Sequence, residues 1–147
     1  MDMGNAGVAI EWLILADAAQ VVGNKLYLLG GGWDVLTVSR PLPIQHPLAI
    51  AISVRVPWNE TNQKHKFEVE LVHEDGQSLL KSSGQFEVGR PPGIRPGQDQ
   101  RAQLAMSFGV KLEKGGTYVI IGRLEGLEQA RTTFTVNVPH SSAAAAG

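Results

Sequence analysis

Hydrophobic residues recur at every second position in four stretches of the chain. Leu48, Ile50, Ile52, Val54 and Val56 alternate with Ala49, Ala51, Ser53 and Arg55, and Phe67, Val69 and Leu71 alternate with Lys66, Glu68 and Glu70. Further along, Ala102, Leu104, Met106 and Phe108 are interleaved with Arg101, Gln103, Ala105 and Ser107. Phe134, Val136 and Val138 are interleaved with Thr133, Thr135 and Asn137. Successive side chains on a strand point to opposite faces, so each run predicts a strand with one buried face and one wet face. Tyr118-Val119-Ile120-Ile121 is apolar on both parities and predicts a strand buried on both sides.

Turn chemistry separates these runs. Asp75-Gly76 predicts a hairpin with positive φ at both turn residues, and Gly23-Asn24 does the same between Trp12–Val22 and Leu26–Leu29. Pro41, Pro43 and Pro47, and again Pro91, Pro92 and Pro96, mark connections, because proline cannot donate to a sheet ladder. Ile10, Leu13, Ile14 and Asp17 also fit one helix face. The strand reading is preferred there because the Gly-Asn turn supplies an immediate pairing partner. Together the pattern predicts an all-β, antiparallel two-sheet β-sandwich of the Ig-like or Greek-key type with about eight strands. A closed barrel is the alternative. The expected organisation is a flexible N-terminus over 1–7, a sandwich domain over 8–138 and a disordered Ala/Ser tail over 139–147.

At 147 residues the chain is the size of one domain, and 43% hydrophobic against 18% charged residues excludes an intrinsically disordered polymer. A formal net charge of −1 gives no global basic field to attract nucleic acid or an anionic membrane. The absence of cysteine removes disulfides, thiolate catalysis and Cys-ligated metal centres. The apolar run Trp12 to Ala16 falls far short of the roughly 20 residues that span a bilayer, so no membrane insertion is expected. With no basic n-region at the start, the expected location is cytoplasmic.

Candidate chemistry is sparse. Gly30-Gly31-Gly32 lacks the helix start and the Lys-Ser/Thr pair of a phosphate loop, and reads as a bend that lets a strand change sheets. The four histidines, His46, His65, His73 and His140, show no metal-ligand spacing, and Asp17, Asp34 and Asp75 follow no calcium-loop pattern. No metal and no cofactor are expected. No G-x-S-x-G elbow occurs, and Glu68 and Glu70 share one solvated strand face, so no catalytic residue is assigned.

The segment Gly89 to Arg101 is the most unusual stretch. It carries Arg90, Arg95 and Arg101 between two strands, stiffened by three prolines. Trp58 sits at the edge of the polar stretch Asn59 to Gln63. These four residues are the candidate partner-binding set, weighed against a lid role for Trp58 and a plain connection for the loop. The arginines have no aromatic interleaving, so a nucleic-acid partner is not expected. Trp12 and Trp33 are assigned to the core, and the Tyr118 hydroxyl to a backbone group, as at sandwich corners.

The segments Trp12 to Gln20, Gly23 to Gly30, Phe67 to Leu71, Asp75-Gly76 and Gly116-Thr117-Tyr118 carry a resemblance. They resemble an uncharacterised family of small, single-domain, nearly all-β bacterial proteins, over roughly Glu11 to Val138. That resemblance implies the fold and no catalytic residue. The expected function is a non-enzymatic binding or structural module, with a protein partner or a second copy as its ligand. The alternatives are a carbohydrate- or lipid-binding sandwich and, more remotely, a hydrolase.

Overall fold

The computed structural model describes residues 7–138; the expectations for residues 1–6, for the 139–147 tail and for His140 lie outside the described residues. Among the described residues nine strands follow one another: β1 (Ala9–Val22), β2 (Lys25–Gly31), β3 (Val35–Thr37), β4 (Ile44–Val56), β5 (Lys64–His73), β6 (Ser78–Glu87), β7 (Gln100–Leu112), β8 (Gly116–Leu124) and β9 (Leu127–Asn137). They form a four-stranded sheet in the order β2-β1-β4-β7 and a five-stranded sheet in the order β3-β9-β8-β5-β6. All pairings are antiparallel except that of the short β3 with β9. This is the expected two-sheet sandwich, open at its edges, and its first element is a strand. No helix among the described residues is long and apolar enough to cross a membrane.

The alternating runs fill the space between the sheets. Leu48, Ile50, Ile52 and Val54 of β4 face Val69 and Leu71 of β5, Ile120 and Leu124 of β8, and Phe134 and Val136 of β9, all at most 2% exposed. Tyr118 is fully buried, stacks on Phe134 with centroids 5.2 Å apart, and donates its hydroxyl to the Lys114 carbonyl at 2.6 Å. The corner role read from the sequence is thus filled, and the buried hydroxyl keeps a partner.

Two connections work as their residues predict. Gly23 and Asn24 both have positive φ, 58° and 63°, which makes the primed turn that matches strand twist. At Gly30 and Gly32, with φ of 60° and 81°, the chain leaves the first sheet for β3 in the second, and the Gly32 N–H donates to the Leu15 carbonyl. The Asp75-Gly76 hairpin forms by a different route. Only Gly76 has positive φ, 98°, and the connection spans residues 74–77, closed by Gly76 N–H to His73 carbonyl. The Asp75 carboxylate instead accepts the Gln77 N–H at 2.9 Å. A four-residue loop built on an ordinary turn plus a left-handed glycine needs only one positive φ.

The two-faced strand is β4, not β8. In β8 the outward Val119 and Ile121 remain half-exposed, whereas in β4 the outward Ala49, Ala51 and Ser53 are 0% exposed, like the core residues between them. The cause lies in the β1–β2 hairpin. β1 pairs with β4 only over Ala9–Ala16, and both β1 and β2 also come close to β7, the strand on the far side of β4. There the Gln103 side chain of β7 donates to the Asn24 carbonyl at the hairpin tip, at 2.9 Å. Small side chains on β4 leave room for that fold-over. Pro47 also departs from expectation, lying within β4 opposite Gly109. β1 pairs with β4 only from Ala49 onward, so the ladder beside Pro47 is already open on that side and a missing N–H costs little.

Candidate functional site

The four residues singled out from the sequence divide among three settings. Loop 88–99 joins β6 in the second sheet to β7 in the first. At its start the Arg90 guanidinium lies 3.6 Å from the ring centroid of Trp58, which is half-buried in a single 3-10 turn, Trp58–Glu60. Arg90 Nε donates to Thr61 Oγ1 at 2.7 Å and its Nη2 to the Trp58 carbonyl at 2.8 Å. Arg90 and Trp58 do meet, and the contact latches the loop onto the turn through Nε and Nη2 of the guanidinium. Arg95 stands alone at the exposed loop tip, where its backbone N–H donates to Gln98 Oε1.

Arg101 is taken by Glu11. Arg101 Nε donates to Glu11 Oε1 at 2.7 Å, and Arg55, opposite it on β4, donates to Oε2 at 2.5 Å. Ser53 Oγ adds a third donor at 2.8 Å. The Arg101 hydrogen bond, then Ser53 and the charge of Arg55, hold the Glu11 carboxyl down at about 2, against an ordinary 4.5. A carboxyl depressed on folding stabilises the protein above its unfolded value, and that contribution disappears as pH falls from about 4.5 toward 2. Glu11→Gln should therefore cost about 1–2 kcal/mol at pH 7, discounted because both arginines are half-exposed, and flatten the acid limb. Urea unfolding of both proteins from pH 7 to pH 2 checks this. Parallel curves between pH 4.5 and pH 2 would show that the cluster contributes nothing.

The histidines are used structurally. Buried His73 places Nε2 2.9 Å from the Gly115 carbonyl, and its Nδ1 lies 3.1 Å from both the Asp75 backbone nitrogen and an Asp75 carboxylate oxygen, so the ring ties the turn to the start of β8. Buried His65 places Nε2 at 2.7 Å from the Glu60 carbonyl, and His46 stands edge-on to Trp33. Among the described residues no three His, Asp or Glu side chains converge as metal ligands. Glu68 and Glu70 both accept from Arg123 Nη1, at 2.8 and 2.9 Å, which ties them into a ladder on the outer face of the second sheet. Trp33 does pack against the core, on Phe134, with its indole N–H buried and without a hydrogen-bond partner. Trp12 does not; it is half-buried on the outward face of β1, opposite Ser53.

A surface that the candidate set omitted lies on the β1–β2 hairpin. Val22, Tyr27 and Leu29 are 51%, 55% and 71% exposed. The register puts Gln20 opposite Tyr27 and Ala18 opposite Leu29, so all of them share one face. β2 is also the end strand of its sheet. In a two-residue hairpin the closing pair, here Val22 and Lys25, exchanges hydrogen bonds, so the amides of Lys25, Tyr27 and Leu29 face β1. Those of Leu26 and Leu28 face outward, along an edge that carries apolar side chains on both sides. The signal was present in the sequence: Leu26-Tyr27-Leu28-Leu29 is apolar at both parities, so a strand there has no polar face to turn to water.

Residues 11–137 match the model of a family of unknown function, DUF6941. The chain belongs to that family. The match to DUF6941 covers nearly the whole sandwich, from the Glu11 cluster to the end of β9. No curated protein matches. Among solved structures the chain is similar to the Pseudomonas fluorescens alkylpurine DNA glycosylase AlkC bound to DNA containing an abasic site analog, at 11% identity and a TM-score of 0.47. That alignment covers 88% of this chain and 30% of the glycosylase, so the chain spans about a third of its length. A likeness of that size bears on nothing further here.

Proposed function

We propose that this member of DUF6941 is a cytoplasmic, non-enzymatic interaction module that works through protein–protein contacts made by its β1–β2 hairpin. The observation that carries this reading is the coincidence of Val22, Tyr27 and Leu29 on one exposed face with the free edge of β2. Exposed apolar side chains scattered singly are ordinary, but a contiguous set beside unpaired backbone donors and acceptors offers a partner both burial and hydrogen bonds. The arginines weigh against a nucleic-acid partner, because Arg90 and Arg101 each commit two nitrogens to bonds within the chain and Arg101 is paired with a carboxylate.

A photo-crosslinking residue placed at Leu29 in living cells tests the reading. The expected result is an adduct with a protein, another copy included, that disappears when Tyr27→Glu is added. The same residue at Ser83, on exposed strand β6, should give no such adduct. Adducts confined to lipid or glycan, or none above the Ser83 control, would overturn it.

A further inference from the structure

We infer that the partner of the β2 edge is a second copy of this chain, joined by two-fold antiparallel pairing of β2 with β2 centred on Tyr27. The inference rests on the interaction reading above and names its partner. Among the described residues the sandwich has four edge strands: β2, β7, β3 and β6. β3 is three residues long, β6 carries Lys81 at its middle, and β7 carries Arg101 and Lys111 near its two ends. Short edges and charges are what keep sheets from joining. β2, Lys25–Gly31, has one charge, at its first residue, and is otherwise Leu26-Tyr27-Leu28-Leu29-Gly30-Gly31.

Length and hydrogen-bond parity select the same register. Gly30 has a φ of 60°, so the regular extended run is Lys25 to Leu29, and its middle residue is Tyr27. Full antiparallel overlap of two such runs places Tyr27 opposite Tyr27, Leu26 opposite Leu28 and Lys25 opposite Leu29. Leu26 and Leu28 are the residues whose amides face outward, so they fall in hydrogen-bonded pairs, and Tyr27 falls in a non-hydrogen-bonded pair. The one charge on the strand does not oppose this register. Each Lys25 meets a leucine, over which its aliphatic stem lies, and the two ammonium groups are four residues apart along the ladder, roughly 13 Å, beyond the screening length at physiological salt. The product is one eight-stranded sheet, with the two tyrosines meeting at the centre of its exposed face and each Leu29 covered by the aliphatic stem of the second copy's Lys25.

The absence of native cysteine makes the register directly readable. In a non-hydrogen-bonded pair the Cα atoms lie about 4.5 Å apart, within disulfide range, whereas two Leu29 positions in this register lie far beyond it. Under mild oxidation Tyr27→Cys should give a covalent dimer as the major species, Leu29→Cys alone little. A mixture of Lys25→Cys and Leu29→Cys should give the mixed dimer. The unmodified protein should sediment as a dimer, and Tyr27→Glu should weaken that association at least 100-fold while leaving the circular dichroism spectrum unchanged. A protein that sediments as a monomer at every concentration, or Tyr27→Cys crosslinking no better than Leu29→Cys, would overturn the inference. If the Leu29 photo-adduct then contains a different protein, the interaction reading survives and the second copy does not.

Discussion

Phe134→Ala should destabilise the protein by about 3–5 kcal/mol, a large part of the roughly 5–15 kcal/mol that holds an ordinary domain folded. Phe134 is 1% exposed at the middle of an aromatic column. Its ring stacks on Tyr118 at 5.2 Å with planes 9° apart, and it meets Trp33 at 5.4 Å edge-on. Truncation removes the transfer energy of a buried ring, leaves a void between the two sheets, and strips both neighbours of an aromatic contact worth about 0.5–1.5 kcal/mol each. Trp33 sits just before β3, so the loss reaches the segment that carries the chain between sheets. Phe134→Leu keeps most of the volume and should cost roughly half as much. Urea unfolding followed by tryptophan emission reads both variants. A loss under about 1 kcal/mol for Phe134→Ala would mean that the column is not packed as described.

The column also shows what made the fold legible. Phe134 and Val136 repeat at period two with threonines between them, and a period of two has one structural solution, a strand with a face to bury. Four such runs in one chain, with glycine turns between them, leave little besides packed sheets. The Gly23-Asn24 turn was legible because its chemistry is local: two positive φ angles need residues that tolerate them. The Asp75 turn was half legible. Asp-Gly announces a reversal, but the number of loop residues is set by where the β5–β6 pairing stops, which the dipeptide does not encode.

The candidate site was less legible, because partners distant in sequence decide whether a charge is free. Three arginines within the segment Gly89 to Arg101 look available when only that segment is in view. Arg101 is claimed by Glu11, 90 residues earlier, and Arg90 by Thr61, 29 residues earlier. Nothing near Arg90 or Arg101 announces those bonds. For the hairpin the reverse holds. Leu26-Tyr27-Leu28-Leu29 shows an excess of apolar surface locally, but whether a second layer covers it is a tertiary fact. The same limit explains the exchange between β4 and β8. Ile121 and Val119 look like core residues and find no covering layer among the described residues, while Ala49, Ala51 and Ser53 look wettable and are covered.

That exchange yields the sharpest test of the fold. If β4 had a wet face, Ala51→Glu would be a surface change worth at most about 0.5 kcal/mol. In the folded protein Ala51 is 0% exposed, with Ile14 on one side and Ala105 on the other. The cation nearest along β4, Arg55, is already bound to Glu11. A carboxylate placed there loses its water without gaining a partner, so Ala51→Glu should cost about 3–5 kcal/mol. Part of the cost should return at low pH, where the introduced carboxyl is protonated, because its folded pKa is raised and the penalty belongs to the charged form. Thr133→Glu, on the exposed face of β9, supplies the matched control and should stay within about 0.5 kcal/mol of the parent. Urea unfolding at pH 7 and pH 4 compares them. If Ala51→Glu behaves like Thr133→Glu at pH 7, the β1–β2 hairpin does not cover β4, and the position of its exposed edge has to be drawn again.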